Sequence, residues 1–258
     1  MSDEAIMRRA IALARTAAGW TNPNPLVGAV VVKDGRVIGQ GCHERFGQLH
    51  AERNALKSCK EDPAGATIYV TLEPCNHTGH QPPCVDALIE AGIAKVVVGS
   101  RDPNPLVSGK GNARLRAAGI EVEEDFLRDE CDALNPIFFH YITTGKPYIV
   151  DGRRRAGESD SEYAVRRREL YATYAAVLAG TESDVPDESF AHFNGPVQAV
   201  GADEVVIGGH RPLLLEAGAL ACTDPDEWLS ELGKRKIDSL IVESDEAFER
   251  LSMACQKD

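Results

Sequence analysis

Nowhere does the chain run through eighteen consecutive apolar residues, so no membrane-crossing helix is expected. Aromatic residues make up only 6% of the 258 positions, which leaves the core to aliphatic side chains. Basic residues are outnumbered, 28 against 40 acidic ones, for a formal net charge of −12. The deficit is uneven: residues 1–151 carry −3 and residues 152–258 carry −9. Neither part has the basic surface that binding along a phosphate backbone requires, so no nucleic acid partner is expected. A single phosphate on a small molecule needs only local donors and stays open. The start, Met1-Ser2-Asp3-Glu4, lacks the basic and apolar stretch of a secretory leader. Seven cysteines are an odd number without the dense spacing of a secreted disulfide scaffold. A reducing cytoplasm is the expected location, with Cys42, Cys59, Cys131, Cys222 and Cys255 as free, small hydrophobes.

What is present is a chain long enough for one large or two modest domains. Apolar residues at helical spacing (Ile6, Ala10, Leu13, Ala14, Ala17) predict a helix over 5–18. Residues 27–33 and 36–41 read as strands joined by an Asp34-Gly35 hairpin turn. Helices are expected from His50 to Lys60, from Pro82 or Pro83 to Ala91, over 111–118 and over 127–143. Strands are expected over 67–72, 95–99 and 120–123. Strands alternating with helices after an initial hairpin predict an α/β fold, a mixed sheet covered on both faces.

The chemistry concentrates in two short runs. Gln48-Leu49-His50-Ala51-Glu52 places an acid two residues past a histidine. Glu73-Pro74-Cys75-Asn76-His77-Thr78-Gly79-His80-Gln81-Pro82-Pro83-Cys84 places two cysteines with eight residues between them. Catalytic zinc keeps three protein ligands and an open fourth position. His50, Cys75 and Cys84 supply three, and Glu52 is left over to handle protons, an order found in zinc deaminases. A closed structural site is the alternative, with His77 or His80 as fourth ligand, but it gives Glu52 no task.

The lengthened cysteine spacing resembles the deaminase part of the bifunctional riboflavin-biosynthesis deaminase/reductase family. Thr21-Asn22-Pro23-Asn24-Pro25-Leu26-Val27-Gly28 and Asp102-Pro103-Asn104-Pro105 look like that family's substrate loops. The likeness runs from about Ala5 to about Tyr148. It implies a cytidine-deaminase-like three-layer sandwich and a hydrolase that holds Zn2+. The implied reaction is deamination of 2,5-diamino-6-ribosylamino-4(3H)-pyrimidinone 5′-phosphate. Deamination of another nucleotide or nucleoside, or a non-catalytic zinc-bound scaffold, are the alternatives. The resemblance also carries over Asn24, His43, His77, His80, Asp102 and Asn104 as substrate contacts. For each there is a plainer reading: turn chemistry for Asn24, Asp102 and Asn104, loop packing for His77 and His80, an ordinary surface residue for His43. Position 80 commonly holds Lys or Arg in the family; His80 weakens a phosphate contact there.

Past Gly145-Lys146-Pro147 the character changes, which sets the expected domains at 1–146 and 147–258. The second part looks like a small, degenerate α/β reductase-like piece. Residues 163–179 read as one helix, and Leu232 to Glu243 as a helix followed by a strand. Where the family has glycines after that strand stand Ser244 and Asp245, and Gly180 to Pro186 reads as a shortened substrate loop. Reductase activity is therefore not expected. Asp184 to Pro196 is expected to be mobile, and Arg153-Arg154-Arg155 and Arg166-Arg167-Arg168 read as solvated charge runs. Assembly as a homo-oligomer and a separate reductase for the next step complete the expectations.

Overall fold

The computed structural model describes residues 1–78, 82–104, 108–178, 213–215 and 224–255. The chain divides into two compact units, Met1–Pro136 and Ile137–Asp258, a division earlier than the boundary expected at 146/147.

In the first unit, helix α1 (Asp3–Arg15) begins where Ser2 caps the Ala5 N–H and Asp3 and Glu4 meet the positive helix end. Strands β1 (Gly28–Lys33) and β2 (Arg36–Cys42) form the predicted hairpin. Asp34 and Gly35 both take positive φ, 50° and 72°, which gives the turn a twist that matches the strands. Strands β3 (Thr67–Leu72), β4 (Lys95–Ser100) and β5 (Glu121–Glu123) complete a sheet of order β2-β1-β3-β4-β5. β1 pairs antiparallel with β2 and β3, while β3-β4-β5 run parallel, so the sheet is mixed as predicted.

Alternation along each strand sorts the core to two faces. Ala29, Val31, Ile68, Val70, Val96 and Val98 pack with Ala51, Ala55, Val85 and Leu88 of the following helices. Val30, Tyr69 and Val97 turn the other way, onto Ile6, Met7, Ala10, Ile11 and Ala14 of α1. The first face belongs to α2 (Ala51–Lys57), α3 (Cys84–Glu90) and α4 (Lys110–Ala117). Gly41 lets α2 lie directly on β2: a Cβ there would sit 2.7 Å from both the Ala55 nitrogen and the Asn54 Cβ.

The helix expected over 127–143 is two helices, α5 (Arg128–Asp132) and α6 (Pro136–Thr144). Pro136 has no N–H to continue a helix and disfavours helical backbone at the residue before it. Asn135 is buried at that break instead.

The second unit holds a parallel sheet of order β6-β9-β7-β8: β6 (Tyr148–Asp151), β7 (Ala176–Leu178), β8 (Leu213–Leu215) and β9 (Ser239–Val242). Helices α7 (Asp160–Thr173), α8 (Pro225–Lys234) and α9 (Asp245–Cys255) accompany it. The helix-then-strand order expected over 232–243 is present in α8 and β9. The helix expected over 163–179 ends at Thr173, because Ala176, Val177 and Leu178 are wholly buried as a strand beside β9. A short, continuous apolar run is what a parallel strand covered on both faces demands. The expectations placed on Gly180 to Pro186 and on Asp184 to Pro196 lie outside the described residues.

The arginine runs are less solvated than expected. Arg166 and Arg167 keep only 14% and 13% of their side chains exposed, paired with Glu158 and Glu243. Arg153 lies over the Phe248 ring, whereas Arg154, Arg155 and Arg168 are exposed.

Candidate functional site

Three element ends converge on one point in the first unit. His50 is the N-cap of α2, Cys84 opens α3, and Cys75 follows the end of β3. His50 makes no capping hydrogen bond; its ring turns toward the sulfurs instead. Its Nδ1 lies 3.5 Å from Cys75 Sγ and 3.4 Å from Cys84 Sγ. One ligand atom from each of the three residues lies within 4.8 Å of the others, and among the described residues no other side chain joins the group.

The spacing can be tested against zinc. An imidazole nitrogen about 2.0–2.1 Å and a thiolate about 2.3 Å from one ion, near the tetrahedral angle, lie about 3.6 Å apart. The two nitrogen–sulfur separations agree with that figure, and the donors are the soft and borderline types zinc takes. The residues present fit the ion, and among the described residues no fourth ligand joins them.

Local electrostatics prepare the sulfurs. The Cys84 backbone N–H, at the start of α3, donates to Cys75 Sγ at 3.3 Å. The hydrogen bond between the two cysteines, together with His50 and that N–H, draws the Cys75 thiol well below its ordinary range despite burial. Arg53 braces the turn before Cys84, donating to the carbonyls of Pro82 and Pro83 at 3.2 and 3.0 Å.

Glu52 is 3% exposed and sits outside the ligand group. Burial, helped by the Cys75 charge, pushes its carboxyl up to about 7, and His50 opposes the shift. A carboxyl near neutrality can both accept and return a proton at physiological pH.

Asn24 and His43 come together. The Asn24 amide nitrogen lies 3.1 Å from His43 Nε2, and His43 Nδ1 lies 3.1 Å from the Leu49 carbonyl. Burial depresses His43 to about 4, so the ring is neutral, donating to Leu49 and accepting from Asn24. At 2% exposure it is not the surface histidine that the plainer reading allowed. Its ring meets the His50 ring edge-on at 5.2 Å, which ties Asn24 to the ligand group.

Asp102 is buried after the end of β4 and accepts from the Asn104 N–H at 2.9 Å. Burial raises its carboxyl, and His77 opposes that rise. His77 itself is exposed. His80, carried over as a phosphate contact, lies outside the described residues.

Two residues that support the site escaped the sequence reading. Glu73, 4% exposed, accepts from the backbone N–H groups of Gly109, Gly111 and Asn112 at 2.9, 3.1 and 3.4 Å. Asn135 grips Leu26, accepting from its N–H at 2.7 Å and donating to its carbonyl at 3.0 Å. That grip fixes the loop bearing Asn24.

This fold and this donor set define a deaminase of the cytidine deaminase type. The cytidine and deoxycytidylate deaminase zinc-binding region matches residues 1–100, which include His50, Glu52, Cys75 and Cys84. The chain belongs to the RibD family of riboflavin biosynthesis proteins. It is 42% identical to riboflavin biosynthesis protein RibD of Actinobacillus pleuropneumoniae, over 94% of this chain and 78% of the relative. The diaminohydroxyphosphoribosylamino-pyrimidine deaminase of Buchnera aphidicola is 46% identical and matched along its whole length by 57% of this chain. The solved diaminohydroxyphosphoribosylaminopyrimidine deaminase/5-amino-6-(5-phosphoribosylamino)uracil reductase of Thermotoga maritima superposes with a TM-score of 0.76 at 33% identity, covering 97% of this chain and 83% of that one.

Proposed function

We propose that the first unit releases ammonia from 2,5-diamino-6-ribosylamino-4(3H)-pyrimidinone 5′-phosphate, with zinc held by His50, Cys75 and Cys84. The observation that carries the reading is the His50, Cys75 and Cys84 group with a buried acid outside it. The Buchnera relative, whose entire length this chain matches, bears the name of that deaminase, which supports the choice of substrate.

Bound zinc supplies the Lewis acidity that makes water nucleophilic at neutral pH. Glu52 takes the proton that the attacking water must lose and hands it to the ring nitrogen; it then takes the proton of the new hydroxyl on the ring carbon and gives it to the departing amine, leaving a ring carbonyl and ammonia. Its carboxyl, poised at about 7, can act in both directions. His43, neutral, holds one hydrogen of the Asn24 amide and so fixes which way that amide presents its oxygen. Asp102 and Asn104 stand at the carboxyl end of β4, where α/β sheets place ligands, and complete the substrate surface. The single phosphate needs only local donors, consistent with the net −3 of residues 1–151.

The test is a zinc assay on purified protein combined with ammonia release from the pyrimidinone nucleotide, with cytidine, guanine and adenosine compounds alongside. One zinc per chain and turnover of the pyrimidinone alone are expected. Turnover confined to another base would move the substrate; zinc without any turnover would leave a scaffold.

A further inference from the structure

The loop carrying Asp102 and Asn104 enters from β4 and leaves into α4, and both of its ends are tied to one residue. On the entry side the Glu73 backbone N–H donates to the Ser100 carbonyl at 2.9 Å. On the exit side the Glu73 carboxylate spans the start of α4, with Oε2 on Gly109 N–H at 2.9 Å and Oε1 on Gly111 and Asn112 N–H at 3.1 and 3.4 Å. These are N–H groups that a helix start leaves without internal partners. Between the ends, Asn104 donates to Asp102 Oδ1 at 2.9 Å and its carbonyl accepts from Ser108 N–H at 2.8 Å.

The approach of α4 to the cysteine turn leaves no room for a different residue at 111. A Cβ on Gly111 would lie 2.2 Å from the Pro74 carbonyl oxygen. Asn76, next to Cys75, is held by Arg114 of α4 at 2.9 Å, and Arg114 also pairs with Asp86 of α3. The segment 73–76 is therefore fastened on one side to the ligand group and on the other to the loop of Asp102 and Asn104.

We infer that Glu73 is a positioning residue: it sets the substrate loop at Asp102 and Asn104 against the metal turn at Cys75. This rests on the deaminase reading of the site. Among the described residues the Glu73 carboxylate bonds backbone N–H groups alone and takes no part in proton transfer. Its effect must reach the reaction through the loop, so substrate binding is the step it governs.

Glu73→Gln keeps the shape but turns one acceptor into a donor, which then faces the Gly109 or the Gly111 N–H. The full-length variant is expected to hold zinc as the unaltered protein does. KM for the pyrimidinone nucleotide should rise on the order of tenfold, with kcat changed much less, since a misplaced contact surface acts on binding. In an Asn104→Ala background the same substitution should add little to KM, because both act on one loop. An unchanged KM, loss of zinc, or full additivity with Asn104→Ala overturns the proposal. Should Glu73→Gln fail to fold, amide hydrogen exchange on the unaltered protein decides: slow exchange at Gly109 and Gly111 supports the clamp and rapid exchange refutes it. Zinc-loaded unaltered protein that releases no ammonia would sink the deaminase reading and this role together, whereas an active protein indifferent to Glu73→Gln sinks only the role.

Discussion

At the scale of single residues the proposed site sets the three candidate metal ligands apart from the acid proposed to move protons. Glu52 is kept off the ligand set and its carboxyl stands at about 7, so Glu52→Gln should leave one zinc per chain. Ammonia release should fall by about 10²- to 10⁴-fold, the usual contribution of a positioned acid/base. A metal assay beside initial rates checks both halves, and a variant that loses its zinc would make Glu52 a ligand. Asn135 makes a second residue-scale case. Asn135→Asp keeps the acceptor for Leu26 N–H but loses the donor to its carbonyl, at 3% exposure. The unpaired carbonyl and buried acid should cost about 1–3 kcal/mol of stability and raise KM through the Asn24 loop. Chemical unfolding read beside KM tests it. The convergence of His50, Cys75 and Cys84 was legible because their residue types and the family resemblance together point to a metal site. Glu73 and Asn135 were not, since their partners are backbone amides at positions 109–112 and 26, far away along the chain.

Elements were legible where local rules agree with tertiary demands. The hairpin at Asp34-Gly35 and strand β3 fell where pattern placed them, and the mixed sheet followed. The misses have a common cause: helical propensity was read through places where packing or proline decides. Pro136 split one expected helix, and burial against β9 turned 176–178 from helix into strand. The start of β9 carries a cost that can be measured. Asp238, 2% exposed, accepts the Ser239 hydroxyl at 2.7 Å, and burial pushes its carboxyl up to about 6 from an ordinary 3.8. The folded state therefore holds the proton more tightly than the unfolded one. The penalty is absent below 3.8, grows as pH rises toward 6, and is complete above it. Asp238→Asn should stabilise the second unit at pH 7 by up to about 3 kcal/mol and by nothing at pH 3. Hydrogen exchange of the β9 amides at both pH values reads this directly. Equal effects at the two would refute a buried carboxylate as the cause.

For the whole molecule the question is what each unit does alone. His50, Cys75, Cys84, Glu52, Glu73 and Asn135 all lie in Met1–Pro136, which has core on each face of its own sheet. A chain ended after Pro136 should therefore fold and keep its zinc, as a metal assay on that fragment would show; loss of zinc would assign the second unit a supporting role. In Ile137–Asp258 the carboxyl end of β9, the kind of place where parallel sheets receive cofactors, carries an internal ion pair among the described residues. Glu243, with 3% of its side chain exposed, takes the Arg167 fork at 2.6 and 2.7 Å and the Tyr171 hydroxyl at 2.6 Å. A bidentate pair with a third donor is a strong internal partner, and a ligand reaching for Arg167 must first break it. The −9 charge of residues 152–258 further disfavours a phosphorylated nicotinamide. Titration of the whole chain with NADPH should show neither binding nor oxidation; saturable fluorescence quenching would mean that this strand end opens, and a second activity would then have to be assigned to it.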